Sequence, residues 1–168
     1  MAIITLNNNS LSSVTTLPSG LSGQNYPAFE ANLSADQSLA DGVGTKVQFN
    51  TEVFDTDNCY DNSVNYRFTP TVAGKYFVYS NLQLEVNAQS IEFYSLIIYK
   101  NGVNYFQILE NPNDSSTQGE CLYAGITIDL NGSTDYIEIF GYVFHGAGSA
   151  RLESGTKSCT FGAYRIGA

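Results

Sequence analysis

Side chains that could carry out catalysis are few in this chain. Its only histidine, His145, lies in a glycine-rich stretch with no nucleophile motif nearby, and no Gly-x-Ser-x-Gly sequence occurs. Nucleophilic catalysis needs a nucleophile, a base and a group that orients the base. Paired carboxylates for sugar hydrolysis stay an alternative, because 16 acidic residues are present and their pairing depends on the fold. We predict that the protein is not an enzyme and has no catalytic residues and no cofactor.

The acidic stretch from residue 55 to residue 62 is the main candidate for a metal site. Its carboxylates, Asp55, Asp57 and Asp61, are ligand types that calcium accepts. The helix-loop-helix calcium pattern fails, because Tyr60 and Tyr66 stand where that pattern needs Gly and Glu. The alternative is an exposed turn in which Asp and Asn side chains bond to their own backbone, and we favour it.

The three cysteines give no sign of a metal site or a disulfide framework. Cys59, Cys121 and Cys159 lack metal-ligand spacing, and zinc would need several His or Cys residues at such spacing. An odd number of cysteines is also a poor basis for a set of disulfides. We predict free thiols and no transition-metal site.

The charge of the chain limits its partners. A formal net charge of −9 argues against binding to nucleic acid or to an anionic membrane, because both need a basic surface. No apolar run is long enough to span a bilayer, and the N-terminus lacks the basic and apolar regions of a signal peptide. We predict no nucleic-acid partner, no membrane insertion and folding in a cytoplasm.

The clearest strand lies between residues 76 and 86. Tyr76, Val78 and Leu84 share one phase with other apolar residues, while the other phase is mostly polar. Phe77 and Tyr79 break this alternation by placing two aromatic rings in the polar phase. We expect a neighbouring subunit or a loop to cover that face.

Further segments complete an all-β pattern. A hairpin is predicted across residues 91–107, with Asn101 and Gly102 at its turn. Other strands are predicted near residues 27–33, 47–54, 122–130, 136–143 and 157–166, with loops at 111–120 and 145–155. An Asn131–Gly132 turn joins two of them. Eight to ten short strands without helical periodicity indicate a β-sandwich.

Residues 1–25 differ from the rest and form a predicted N-terminal arm, followed by a head domain over residues 26–168. The arm is uncharged and contains Pro18, Gly20 and Gly23 near its end. Its apolar residues could add a strand to a partner's sheet edge or lie in a groove; they are Ile4, Leu6, Leu11, Val14 and Leu17. A flexible leader without a partner is the alternative.

Several motifs in the head carry a family resemblance. They comprise Phe49, Asp55, Tyr60, Phe68, Gly74 and Tyr76, the run from Ser95 to Gly102, and the closing run from Cys159 to Ile166. This spacing resembles the signature of the complement component one-q head domain, a trimeric jelly roll related to tumour necrosis factor. The resemblance implies a jelly-roll sandwich and a homotrimer. Because aromatic residues also occupy the exposed phase of the strands, the resemblance predicts a subunit interface at Tyr123, Phe161 and Tyr164.

The opening of the chain carries a second resemblance. The run from Ile4 to Leu11 leading to Leu17–Pro18 is similar to the openings of marine bacteriophage virion proteins. This implies a trimeric capsid decoration protein, a cement or head-fibre protein, assembled in the host cytoplasm and anchored to capsid or tail proteins by its arm. The alternative is a tail-fibre or receptor-binding head that recognises a host cell-surface ligand through the loops at 111–120 and 145–155.

Overall fold

The fold is built of antiparallel strands. The computed structural model describes residues 25–88, 91–112, 119–146, 148–155 and 158–168. Within these ranges there are thirteen strands and no helix, and therefore no helix that could cross a membrane. In chain order the strands are β1 (Ala28–Asn32), β2 (Gln37–Leu39), β3 (Thr45–Lys46), β4 (Thr51–Asp55), β5 (Tyr60–Asp61), β6 (Arg67–Phe68), β7 (Gly74–Ala88), β8 (Ile91–Lys100), β9 (Val103–Glu110), β10 (Gly119–Leu130), β11 (Ile137–His145), β12 (Gly148–Leu152) and β13 (Thr160–Gly167).

The strands form two sheets. The first sheet, here the β7 sheet, has the order β2-β12-β7-β13-β1-β4, with β10 on the opposite edge of β7. The second, the β8 sheet, has the order β5-β6-β11-β8-β9, with β3 also paired to β11. The predicted all-β jelly roll is confirmed. The predicted eight to ten strands correspond to the nine that have five or more residues, and four others have only two or three.

The core lies between the sheets and is filled by the inward phase of their strands. In β7, Tyr76, Val78 and Leu84 are at most 3% exposed, as the alternation predicts. One end of the core is aromatic, with the Phe29 ring stacked on Tyr60 at 4.5 Å between centroids and on Phe68 at 4.7 Å. Burial of one such large side chain contributes roughly 1.5–3 kcal/mol to the free energy of unfolding.

The turn of the predicted hairpin is also confirmed. It joins β8 to β9 through Asn101 at φ 54° and Gly102 at φ 76°. Positive φ at both central residues is the geometry of a type I′ turn, which Asn-Gly favours because both tolerate the left-handed region.

Two local predictions were wrong. The 145–155 segment is not simply a loop, because β12 lies in it and pairs with β7 and β2. In the 47–54 run only the part from Thr51 onward is a strand, although Val47 and Phe49 are fully buried. The predicted Asn131–Gly132 turn does lie between two strands, β10 and β11, which belong to different sheets.

Candidate functional site

The outward face of the β7 sheet carries a cluster of aromatic side chains. We call Phe77, Tyr79, Tyr123 and Tyr164 the aromatic face. The Phe77 ring centroid lies 6.2 Å from that of Tyr79 and 5.6 Å from that of Tyr164. Tyr123 is 59% exposed and Tyr164 is 37% exposed. The sheet therefore presents an apolar surface on the side away from the core.

Two glycines allow these rings to lie close to the sheet. Gly162 of β13 and Gly125 of β10 both pair with Tyr79, one on each side of β7. A Cβ atom on Gly162 would be 2.3 Å from Tyr79 Cζ, and one on Gly125 would be 2.8 Å from Phe77 Cζ. Any larger residue would therefore push a ring away from the sheet. An isolated glycine within a strand is the sequence signal for such a close approach.

A hydrogen bond fixes one of the rings. The Tyr79 hydroxyl donates to Oε2 of Glu30 on β1 at 2.7 Å. Burial raises the pKa of Tyr79 above its usual value, and the hydrogen bond to Glu30 adds to this rise. Tyr79 therefore stays a neutral donor at physiological pH, because an ionised phenolate could not donate to a carboxylate.

The three residues predicted at a trimer interface lie in two different places. Tyr123 and Tyr164 are on the aromatic face, where a second subunit could contact them. Phe161 is fully buried inside the subunit, with its ring edge-on to Phe29 at 4.8 Å between centroids. Its assignment to an interface is corrected, because a side chain enclosed by its own subunit has no surface to offer.

The predicted anchoring residues, Ile4, Leu6, Leu11, Val14 and Leu17, lie outside the described residues. The boundary predicted between the arm and the head at residue 25 stays a prediction.

The three candidate calcium ligands all accept hydrogen bonds from other groups of the chain. Asp55 Oδ2 accepts the Tyr60 N–H at 2.7 Å, and Asp57 Oδ2 accepts the Thr71 hydroxyl at 3.2 Å. Asp61 accepts backbone N–H groups of the turn that follows it. No group of three His, Cys, Asp or Glu side chains suited to a metal ion occurs in the described ranges. Asp55 and Asp61 thus bond to nearby backbone N–H groups, as Asp residues in turns do.

His145 and two of the three cysteines are buried. His145 is only 5% exposed. Its backbone N–H donates to Asp41 Oδ1 at 2.8 Å, and its ring Nδ1 lies 2.7 Å from the carbonyl oxygen of Gly146. All three cysteines are free, as predicted, with Cys59 and Cys159 buried and Cys121 exposed. Burial raises the pKa of the Cys159 thiol to about 11, so it is a poor nucleophile at neutral pH.

A second candidate site is a cavity of about 480 Å³ beside the β5–β6 hairpin, open to solvent. Its wall is mostly polar and includes Glu52, Asn58, Asn62, Arg67 and Thr69. Sequence reasoning did not predict it, because its residues come from three strands and the loops between them.

Arg67 is the positive group of this cavity. Its guanidinium carbon lies 4.6 Å from the centroid of the Tyr136 ring. Within the described part of the chain, this guanidinium has no hydrogen bond and no ion pair. Asp61 is its cross-strand neighbour, yet the two side chains form no ion pair.

The reason is that Asp61 turns toward its own loop. Its Oδ1 accepts the N–H of Val64 at 2.9 Å, and its Oδ2 accepts the N–H and side-chain amide of Asn65 at 3.1 and 2.6 Å. These hydrogen bonds, with the Val64 backbone first, hold the pKa of Asp61 well below its usual range. Asp61 therefore stabilises the turn, and the donors of Arg67 are left for another partner.

Comparison with known proteins identifies the fold. No protein-family model and no curated protein sequence matches the chain. Solved structures that resemble it include Eiger TNF from S. frugiperda (9% identity, TM-score 0.59, covering 86% of this chain and 95% of that one). The globular domain of zebrafish complement 1qA is also similar (15%, 0.59, 83% and 96%), as is murine APRIL (13%, 0.60, 82% and 97%). The chain thus has the tumour necrosis factor/complement one-q jelly-roll fold.

Proposed function

We propose that this chain is a non-enzymatic structural protein that assembles as a homotrimer through its aromatic face, and that it decorates a bacteriophage capsid. The observation that carries the assembly is the cluster of Phe77, Tyr79, Tyr123 and Tyr164 on the outward face of the β7 sheet. Clustered exposed aromatics on a sheet are typical of interaction surfaces.

A second copy of the chain is the occupant that this face fits best. Burial of one exposed tyrosine contributes about 1.5–3 kcal/mol on area grounds. The four side chains of the face are uncharged, and the neighbouring Glu30 carboxylate accepts the Tyr79 hydroxyl at 2.7 Å. Three copies are favoured over two because the motifs from Phe49 to Tyr76 resemble those of a trimeric head family, and because the fold agrees with that resemblance.

The place in a virion rests on the N-terminal run. The uncharged opening from Ile4 to Leu17 resembles the openings of phage virion proteins and has the alternation of a strand that docks on a partner's sheet edge. Three such arms on one trimer would multiply a weak single contact. The partners in this proposal are capsid proteins, the localisation is the virion, and assembly takes place in the host cytoplasm.

Sedimentation of the full-length chain tests the assembly. We expect a trimer at micromolar concentration and a monomer for Tyr123→Asp, which places a charge in the aromatic face. A wild-type chain that stays monomeric at every concentration would contradict the proposal.

Electron microscopy of purified particles tests the location. A decoration protein occupies many symmetric positions on the head, whereas a tail-fibre tip occupies few on the tail. The second candidate function, a head that recognises a host cell-surface ligand, is favoured by the cavity beside Arg67.

A further inference from the structure

We propose that the cavity beside the β5–β6 hairpin binds a neutral saccharide. The site lies within one subunit and is formed without the aromatic face, so this inference does not depend on the homotrimer. It is a binding function additional to the structural role.

The wall of the cavity offers donors and acceptors in the mixture that sugar hydroxyls require. Arg67 provides only donors and Glu52 only acceptors, while the amide of Asn62 provides both. None of these three side chains has a hydrogen-bond partner among the described residues. Each hydroxyl of a sugar can donate and accept, so adjacent hydroxyls can use Arg67 and Glu52 at once.

The charges around the cavity favour a neutral ligand over an anionic one. Arg67 is its only cationic wall residue, and the Glu52 and Asp61 carboxylates lie in the same wall. A phosphate or a carboxylated sugar would meet both carboxylates, and the low pKa of Asp61 keeps one of them ionised. The net charge of −9 adds to this repulsion.

The wall is held in place before any ligand arrives. The Tyr60 hydroxyl donates to the carbonyl oxygen of Phe49 at 2.9 Å, and its ring stacks on Phe29, so β5 is anchored in the core. Asn58 and Tyr66, on the loops beside β5 and β6, adopt positive φ values of 53° and 49°. Such angles are costly for a bulky residue and persist where the surroundings enforce them. A preformed wall reduces the entropy lost on binding.

The size and openness of the cavity also suit a sugar. Its volume of about 480 Å³ falls within the roughly 300–1,000 Å³ of small-molecule sites. Apolar ligands bind in cavities lined mainly by hydrophobic side chains, whereas this wall is mostly amide, hydroxyl and charged groups.

Titration of the full-length, isotope-labelled chain with methyl glycosides of glucose, galactose, mannose and N-acetylglucosamine tests the proposal by NMR. We expect at least one glycoside to shift the backbone amide signals of residues 58–69. Arg67→Met should weaken that binding by about ten-fold or more, because the charged donor is lost. Lys75→Met removes the same charge at an exposed site outside the cavity wall and should leave the affinity unchanged.

Asn62→Ala provides a second variant in case Arg67→Met disturbs the packing on Tyr136. It should weaken the same glycoside while the signals of the core strands stay in place. The proposal is overturned if no glycoside shifts the signals of residues 58–69, or if Lys75→Met weakens binding as much as Arg67→Met. It is equally overturned if inorganic phosphate or sialic acid binds there more tightly than every neutral glycoside.

Discussion

The Tyr79 ring lies over the backbone of Gly162 in the neighbouring strand, where a Cβ atom would be 2.3 Å from the ring carbon Cζ. Only glycine at position 162 therefore leaves room for the Tyr79 ring in this position. The ring lies near the sheet, and its hydroxyl reaches Glu30 on the strand beyond. The same arrangement recurs at Phe77 and Gly125.

Replacing Gly162 by alanine should disrupt assembly more than folding. The added methyl group would displace the Tyr79 ring, break its hydrogen bond to Glu30 and make the aromatic face uneven. We expect the dissociation constant of the trimer to rise by about ten-fold or more, equivalent to at least about 1.4 kcal/mol. Sedimentation equilibrium measures this change.

Gly167→Ala is the matched control, because it lies in the same strand and has no atom within 4 Å of the added Cβ. It should assemble as the wild type does. Equal dissociation constants for both variants would mean that the Tyr79 ring takes no part in the interface.

Substitution by aspartate should distinguish buried Phe161 from exposed Tyr123, which the sequence analysis both assigned to the interface. Phe161→Asp puts a charge into the aromatic core and should cost more than about 4 kcal/mol, enough to prevent folding. Tyr123→Asp changes an exposed side chain and should give a folded, soluble monomer. Circular dichroism and thermal melting distinguish these results. A folded Phe161→Asp protein would contradict the burial of this ring.

The alkylation rate of Cys121 should report on assembly. This exposed thiol lies two residues before Tyr123 and shares its outward phase in β10. A trimer formed through the aromatic face covers it, so we expect iodoacetamide to react more slowly as protein concentration rises. Buried Cys59 and Cys159 should react only in denaturant. A Cys121 rate independent of concentration would mean that this face stays open.

Strands were predictable from the sequence where apolar and polar side chains alternate. A strand was missed where it forms mainly by backbone pairing with its neighbour. The alternation of β7 and β10 specified their inward faces, because one face of each is buried. β12 was missed, since Gly148 and Ser149 offer no apolar signal and the strand forms by pairing with β7. Phe161 was misplaced although its spacing of three from Tyr164 puts the two on opposite faces of a strand.

The candidate sites differ in the same way. The aromatic face was predictable because Phe77 and Tyr79 occupy a phase that is otherwise polar. The cavity beside Arg67 was not predictable, because its free guanidinium depends on which groups Asp61 bonds to. That carboxylate has Arg67 opposite it and still accepts hydrogen bonds from its own turn. Local spacing cannot show which of two nearby partners a carboxylate takes.

The hydrogen bonds of Asp61 should make stability depend on pH in a specific direction. A carboxylate with a lowered folded-state pKa stabilises the protein above its unfolded pKa of about 4, and this contribution is lost as pH falls toward the folded value. Asp61→Asn should therefore cost about 1 kcal/mol at neutral pH, because solvent screens a partly exposed carboxylate. The difference from wild type should shrink in acid. Urea unfolding at several pH values measures it.

Asp129→Asn is the control for this experiment, because Asp129 is 77% exposed and bonds to Lys75 at the surface. Such pairs contribute about 0–1 kcal/mol, so this variant should stay close to the wild type at every pH. If the stability deficit of Asp61→Asn grew as the pH was lowered, the assignment of Asp61 as a stabilising ionised cap would be wrong.

Deletion of residues 1–25 should leave the head folded and remove it from the virion. Every described strand lies between Ala28 and Gly167, and the described strands of both sheets pair with one another within that range. We therefore expect the truncated chain to melt within a few degrees of the full-length chain and to stay trimeric. Its retention on particles that lack the protein should fall steeply, because three anchoring contacts are lost together. Retention equal to that of the full-length chain would mean that the jelly roll itself attaches to the particle, and a collapsed melting transition would mean that residues 1–25 belong to the fold.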